Sequence, residues 1–392
     1  MNMQNLRRFC YPRPNLDLFK KHIDEIYQSG IYTQGAICSG FEEEIKSISG
    51  DEDVCLTANG TISLSIALLA LGIKPGDIVL TTSYSFCATA SSIYTIGAVP
   101  VFVDHSDVNI RDTDIVRFIE HGCYQTTDGL RVKENILVNY YHRNLRTDSV
   151  IRGIIVVDQF GIPLEIEGIE ELAEKYSLSL VRDAACALGS IKNGKSCISS
   201  GTYSKSLSSV SFHPRKIITT GEGGALSGRK ELIDICRSLT NHGEGDIFVG
   251  PSGNARMGEI NAALGLAALD KLDEIVKKRN RILDIILDQL PHSTCCPATQ
   301  ILSQDDLWNV QSLPIVMRDR ERACEIVEGL KKSGISVKTS IVPINKLKSY
   351  EKYTCIDTPL SSSLAERCIL VPCHEEMDDS EIEALAKTLS IL

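Results

Sequence analysis

The run Ser211-Phe212-His213-Pro214-Arg215-Lys216, continued by Ile217-Ile218-Thr219-Thr220-Gly221-Glu222-Gly223-Gly224, concentrates groups able to do chemistry. Lys216 is a primary amine with a serine five residues before it and a glycine-rich turn after it. A lysine that is partly desolvated deprotonates more easily and attacks a carbonyl to form a Schiff base. Glycines beside it let backbone approach a flat ligand closely. A lysine alone is most often a solvated surface group, so its company has to carry the argument.

Three other segments supply that company. Val181-Arg182-Asp183-Ala184-Ala185-Cys186-Ala187-Leu188-Gly189 sets Asp183 at the close of an apolar strand. In an open parallel sheet, ligands bind beyond the carboxyl ends of the strands. A carboxylate there can keep a pyridinium nitrogen protonated, which makes the ring an electron sink; a helix N-cap or turn aspartate has the same local signature. Thr57-Ala58-Asn59-Gly60-Thr61-Ile62-Ser63-Leu64 reads as strand, tight turn and helix start. Free amides and the helix dipole make such a start an anion site, with the Thr61 hydroxyl as a further donor; a plain N-cap reads the same way. Thr81-Thr82-Ser83-Tyr84-Ser85-Phe86-Cys87-Ala88-Thr89 offers Phe86, a ring that can stack on a cofactor or fill a core.

The elements that must hold these residues follow from hydrophobic periodicity. Residues 15–29 and 41–48 read as helices separated by a glycine-containing loop over 31–40. From residue 54 short apolar strands (54–57, 78–81, 99–103, 153–158 and 178–181) alternate with helices (62–71, 86–96 and 167–176). That alternation implies a mainly parallel sheet covered on both faces. Polar residues 121–150 interrupt it and read as an inserted excursion, with a hairpin outside the core sheet. A long helix is expected over 258–290. Beyond it, strands at 309–317 and 335–342 and helices at 319–332 and 379–391 suggest a smaller α+β domain. The expected division is a large domain over 1–290 and a small one over 291–392.

Bulk properties narrow the classes. The 392 residues suffice for a sizeable core. With 51 acidic against 41 basic residues the formal net charge is -10, which speaks against a nucleic-acid binder. The 14 cysteines are scattered without any C-x-x-C pair, so neither a disulfide framework nor a metal site is expected. The N-terminus lacks the apolar core of a signal peptide, and no apolar run is long enough to span a bilayer. A cytoplasmic protein without membrane partners is the expectation.

In the order of these motifs, and above all in Ser-Phe-His-Pro-Arg-Lys followed by Thr-Thr-Gly-Glu-Gly-Gly, the chain resembles the DegT/DnrJ/EryC1/StrS sugar aminotransferases, from about residue 10 to the C-terminus. The resemblance implies a fold-type-I enzyme using pyridoxal 5'-phosphate, with pyridoxamine 5'-phosphate between two half-reactions. It implies that Lys216 is the aldimine lysine and proton shuttle and that Asp183 partners the pyridine nitrogen. Ser211, with Gly60, Thr61 and the amide of Ile62, would hold the phosphate, and Phe86 would stack on the ring. Asn254 would reach the phosphate from the partner subunit of a homodimer. Loop 31–36, His213, His242 and Arg256 would stand near the acceptor. Two departures from the family pattern are Cys186, where Gln or His is common beside the phenolic oxygen, and Arg182, where an acidic residue is usual. Cysteine is the poorer hydrogen-bond donor.

The implied reaction carries an amino group from L-glutamate to a nucleotide-linked keto sugar, first of all a 4-keto-6-deoxy sugar, for amino-sugar and lipopolysaccharide synthesis. A 3-keto acceptor, dehydration on the same lysine, and a regulatory protein that merely binds the cofactor are the alternatives. A nucleotide-dependent dehydrogenase is disfavoured, because Gly221-Glu222-Gly223 is followed by Leu226 where a third glycine is wanted.

Overall fold

The computed structural model describes residues 12–137, 145, 146, 148–245, 247, 249, 250, 252–290, 296–350 and 356–391. Helices α1 (Leu16–Ser29) and α2 (Ala36–Ser49) lead into β1 (Asp53–Thr57), α3 (Gly60–Ala70), β2 (Ile78–Thr82), α4 (Ala88–Thr95), β3 (Val99–Val103) and α5 (Asp112–Gly122). A hairpin, β4 (Cys123–Thr126) and β5 (Gly129–Val132), precedes β6 (Ile151–Val157), α6 (Glu167–Lys175) and β7 (Ser179–Asp183). Then come the short pair β8 (Ile191–Lys192) and β9 (Lys195–Ser196), the strands β10 (Ser206–Ser211) and β11 (Gly224–Gly228), and α7 (Lys230–Thr240).

The central sheet runs β1-β11-β10-β7-β6-β2-β3, and only β11 is antiparallel to its neighbours on that path. The carboxyl ends of β1, β10, β7, β6, β2 and β3 therefore share one edge. β2 and β7 are buried at every residue, as strands covered on both faces must be. Pro100 is accommodated because β3 is the last strand on its side. α3 is apolar around its circumference and almost wholly buried, which suits a helix with the sheet on one side and α4 and α7 on the other.

α8 (Glu259–Leu269) and α9 (Leu272–Leu287) lead into the C-terminal part, which comprises α10 (Ala298–Ile301), β12 (Leu313–Val316), α11 (Arg320–Lys332), β13 (Lys338–Thr339), α12 (Pro359–Arg367), β14 (Cys368–Val371) and α13 (Asp379–Ile391). Its own antiparallel sheet has the order β12-β14-β13. One apolar cluster links this sheet to Tyr84, Phe160 and Ile162 of the larger unit, with Trp308 buried inside it. None of the described helices is long and apolar enough to cross a membrane.

Four expectations change. α2 starts at residue 36, not 41, because Glu259 caps it from far along the chain: its carboxylate accepts the amides of Gly35 (2.8 Å), Ile37 (3.0 Å) and Cys38 (3.0 Å). The long helix over 258–290 is two helices. Asn15 donates its amide to the Ala267 carbonyl (2.8 Å), the acceptor a continuous helix would offer Lys271, and Lys271 turns to Ala268 instead. The hairpin expected outside the core sheet is there, but β5 pairs with β6 at Leu130 and Ile151, so it extends the sheet; residues 138–144 and 147 of that excursion lie outside the described residues. The strands expected over 309–317 and 335–342 shrink to β12 and β13, since residues 308–311 spend their polar groups on other loops.

His105 ties the end of β2 to the rest. It is fully buried, its Nε2 meets Thr82 Oγ1 at 2.5 Å and its Nδ1 meets the Asp107 carbonyl at 2.8 Å. Burial holds its pKa below the ordinary value, against the pull of nearby aspartates. The unfolded chain therefore binds a proton near the ordinary pKa of about 6.5 while the folded one does not, so stability is lost as pH falls through that value and levels off below the folded pKa. Thermal melts between about pH 7.5 and pH 5.5 should show a smaller drop in Tm for His105→Asn than for wild type, each referred to its own high-pH value.

Candidate active site

The sheet's shared carboxyl edge gathers the sequence motifs. Gly224 at the start of β11 stands opposite both Thr57 at the end of β1 and Ser211 at the end of β10. Ser209 stands opposite Asp183, so β7 delivers its carboxylate two residues back along β10 from Ser211. The helix α3 begins directly after β1 and points its N-terminus at this edge.

The approach of α3 is close enough to demand glycine. A Cβ on Gly60 would lie 2.7 Å from Ser211 Cβ and 3.1 Å from its Oγ. A Cβ on Gly224 would lie 2.8 Å from the Gly60 nitrogen. First-turn amides have no intrahelical acceptor, so Gly60 and Thr61 present theirs beside the Ser211 hydroxyl. These are donors of the kind that a phosphate takes. The amide of Ile62 donates to the N-cap side chain, Asn59 Oδ1, at 3.0 Å.

Asp183 is 5% exposed. Its Oδ2 accepts from Thr89 Oγ1 at 2.9 Å, and its Oδ1 from the Ala185 amide at 3.3 Å. Burial pushes its pKa up, while the Thr89 hydroxyl and the nearby Lys216 charge pull it down. Lys216 is half-buried, and its Nζ donates to Cys186 Sγ at 3.1 Å. Its backbone is turned by the bond from its amide to the His213 carbonyl, 2.8 Å. A buried carboxylate facing a lysine, with a phosphate cradle alongside, matches the donor set that pyridoxal phosphate requires.

Phe86 stands 59% exposed between β2 and α4, with its carbonyl accepting from the Thr89 amide. Thr89 thus ties the segment bearing Phe86 to Asp183. Asn254 is exposed and accepts from the Arg256 amide of its own chain at 3.3 Å. Its neighbour Ala255 accepts from Ala58, which places this segment near the start of α3. Arg256 is turned to Asn241, and His242 sits in the left-handed region with φ 60°. Loop 31–36 is pinned by Glu259 and by the Thr33–Gly258 bridge. His213 accepts from the Arg215 amide, and burial lowers its pKa.

Arg182 does not reach the cradle. It alternates with Asp183 across the strand and grips Asp158 through Nε (2.6 Å) and Nη2 (2.7 Å), both side chains being buried. Burial opposes the guanidinium's charge, but Asp158 more than offsets it and the net pKa is raised. The Asp158 amide also donates to the Asp183 carbonyl at 3.1 Å, so the pair stiffens the strand that carries Asp183.

The periodicity missed a clamp from the C-terminal part. Asn309 Nδ2 donates to the carbonyls of Cys186 and Leu188, each at 2.8 Å. Gln311 Nε2 donates to the carbonyl of Arg215 at 2.7 Å. Between them Val310 holds φ 49°, an uncommon region for a β-branched residue. Polar residues inside an otherwise apolar run were the available signal. A groove of about 1480 Å³ between α1, α2, α9 and the β8–β9 pair contains none of the expected site residues.

The model of the DegT/DnrJ/EryC1/StrS aminotransferase family matches residues 17–390. The chain belongs to this family. It is accordingly a pyridoxal-phosphate-dependent transaminase of fold type I. The UDP-4-amino-4,6-dideoxy-N-acetyl-beta-L-altrosamine transaminase of Campylobacter jejuni is 30% identical over 97% of this chain and 96% of its own. The dTDP-4-amino-4,6-dideoxy-D-glucose transaminase of Shigella dysenteriae is 28% identical over 96% of each. Helicobacter pylori PseC, an aminotransferase involved in the biosynthesis of pseudoaminic acid, superposes with TM-score 0.79 at 26% identity over 98% of both chains.

The cradle makes a direct prediction. Gly60→Ala should weaken pyridoxal phosphate binding by about tenfold or more, since the new methyl occupies the space between α3 and Ser211. Titration of the visible absorbance measures this, and circular dichroism should show the fold retained.

Proposed function

We propose that this chain moves an amino group from L-glutamate to a nucleotide-linked keto sugar, with Lys216 as the lysine that holds the cofactor. The observation that carries the site assignment is the gathering of Lys216, buried Asp183 and the close approach of Gly60 to Ser211 at one sheet edge. The substrate class rests on the relatives, whose names specify 4-amino-4,6-dideoxy sugars on UDP and on dTDP. A 4-keto-6-deoxy acceptor is the matching precursor; the carriers differ among relatives, with GDP in a perosamine synthase of Vibrio cholerae at 25% identity.

In this reading each residue has a mechanical task. When bound, pyridoxal phosphate supplies a carbonyl for the amine and a ring that delocalises the electron pair left when the α-proton departs. Asp183 holds a proton at the ring nitrogen, and its burial strengthens that contact. Lys216 Nζ would take the proton from the donor's α-carbon and deliver it to the cofactor's carbonyl carbon, on the other side of the shared nitrogen. The amides of Gly60 and Thr61 and the Ser211 hydroxyl would hold the phosphate, and Phe86 would stack on the ring. Cys186, beside Lys216, is a weak hydrogen-bond partner for the phenolic oxygen. The exposure of Phe86 and Asn254 supports a second copy closing the site, with Asn254 acting in the partner's cradle. Residues 1–290 form the cofactor-bearing domain, and 291–392 the smaller one that clamps it.

Two measurements test the reading. Wild type with pyridoxal phosphate should show a band near ~420 nm that moves toward ~330 nm with L-glutamate and returns with the right keto sugar; Lys216→Ala should show none of this. Product mass from a panel of 4-keto and 3-keto nucleotide sugars separates the acceptors. A band that L-glutamate leaves in place would support the regulatory alternative. Asp183→Asn should keep the bound cofactor but lower kcat by about a hundredfold or more, since the ring nitrogen loses its charged partner.

A further inference from the structure

We propose that Cys186 and Lys216 form a covalent modification site, joined by a sulfur–nitrogen bond when the protein meets a hydroperoxide. The contact is already made: Lys216 Nζ lies 3.1 Å from Cys186 Sγ. The backbones on either side are held in place. Asn309 fastens the Cys186 carbonyl, Gln311 fastens the Arg215 carbonyl, and the Lys216 amide is bonded to His213. The two side chains are therefore kept facing one another, and rotation about their own bonds closes the remaining gap.

Access follows from burial; selectivity follows from the amine beside the thiol, since Cys87 is also half-buried and Cys324 is exposed. Cys186 is a free thiol and half-buried, as is Lys216, so a small oxidant reaches the pair. Most described cysteines are buried. Burial pushes the Cys55, Cys123 and Cys197 thiols up to about 12, which keeps them from forming the reactive thiolate.

The chemistry balances in two steps. The Cys186 thiolate attacks a peroxide oxygen; the O–O bond breaks, sulfur is oxidised by two electrons and hydroxide leaves, giving a sulfenic acid. The neutral Lys216 amine then attacks that sulfur. The N–S bond forms, the S–O bond breaks, and the oxygen departs as water with one amine proton. Sulfenic acids condense with backbone nitrogen in the same way. Two thiols reverse the linkage: the first attacks sulfur and returns a proton to the amine, and the second releases Cys186 while the pair becomes a disulfide.

The linkage consumes the nitrogen on which the cofactor is held, so the two states exclude each other. That consequence rests on the role given to Lys216 above; the bond itself does not. The full-length protein, with and without added pyridoxal phosphate, is treated with hydrogen peroxide, quenched and digested without reductant. Mass spectrometry should find an intact mass about 2 Da lower and a peptide joining Cys186 to Lys216, cleaved by dithiothreitol. The peptide should be absent from Cys186→Ser, retained in Cys87→Ser and suppressed by preloaded cofactor. Protein oxidised without cofactor and then given pyridoxal phosphate should fail to develop the visible band, and dithiothreitol should restore that ability. Cys186 found as a sulfinic acid or a dimedone adduct with Lys216 free, or a linked peptide from another pair, would overturn the proposal. A linked peptide in protein whose untreated form shows no visible band would uphold the bond and defeat the role of Lys216. A normal band with no linked peptide would do the reverse.

Discussion

A carboxylate buried to 5% exposure at the end of a central strand is the constraint around which the rest is arranged. Taking such a charge out of water costs several kcal/mol unless the surroundings compensate it. Thr89 and the Ala185 amide give Asp183 hydrogen bonds, and Lys216 gives it a positive neighbour. The strand behind it is stiffened by a second buried charge pair, Arg182 with Asp158, which is internally neutral and faces away from the cradle.

The sheet order makes this arrangement possible. β11 is inserted between β1 and β10 with reversed direction, so that a glycine at its start meets the ends of both neighbours. That removes side chains where α3 has to come close, and the α3 amides fall beside Ser211. The start of α3, Ser211 and the buried carboxylate then occupy one edge because parallel strands end together.

The C-terminal part does more than cover apolar surface. Trp308 donates to the Phe160 carbonyl, Asn309 holds the loop bearing Cys186, and Gln311 holds the turn bearing Lys216. One short segment with a left-handed Val310 at its centre thus joins the two loops whose side chains meet. Displacement of this segment would be felt at both loops together.

The sequence by itself determined the alternating strands and helices, the parallel sheet and the motif residues, because strand and helix periods and turn chemistry are local properties. Lys216, Asp183, Gly60, Thr61 and Ser211 could be singled out in the sequence only through the order of their motifs, since each residue alone has a commoner structural explanation. Tertiary structure alone decided the features set by groups far apart in the chain. Glu259 caps α2 across more than two hundred residues, and Asn15 breaks the helix after Ala267 by taking its carbonyl. Arg182 turned out to face Asp158 rather than the site, and Ile62 gave its amide to Asn59. In each case a polar group had several possible partners in the sequence, and packing left only one within hydrogen-bonding distance.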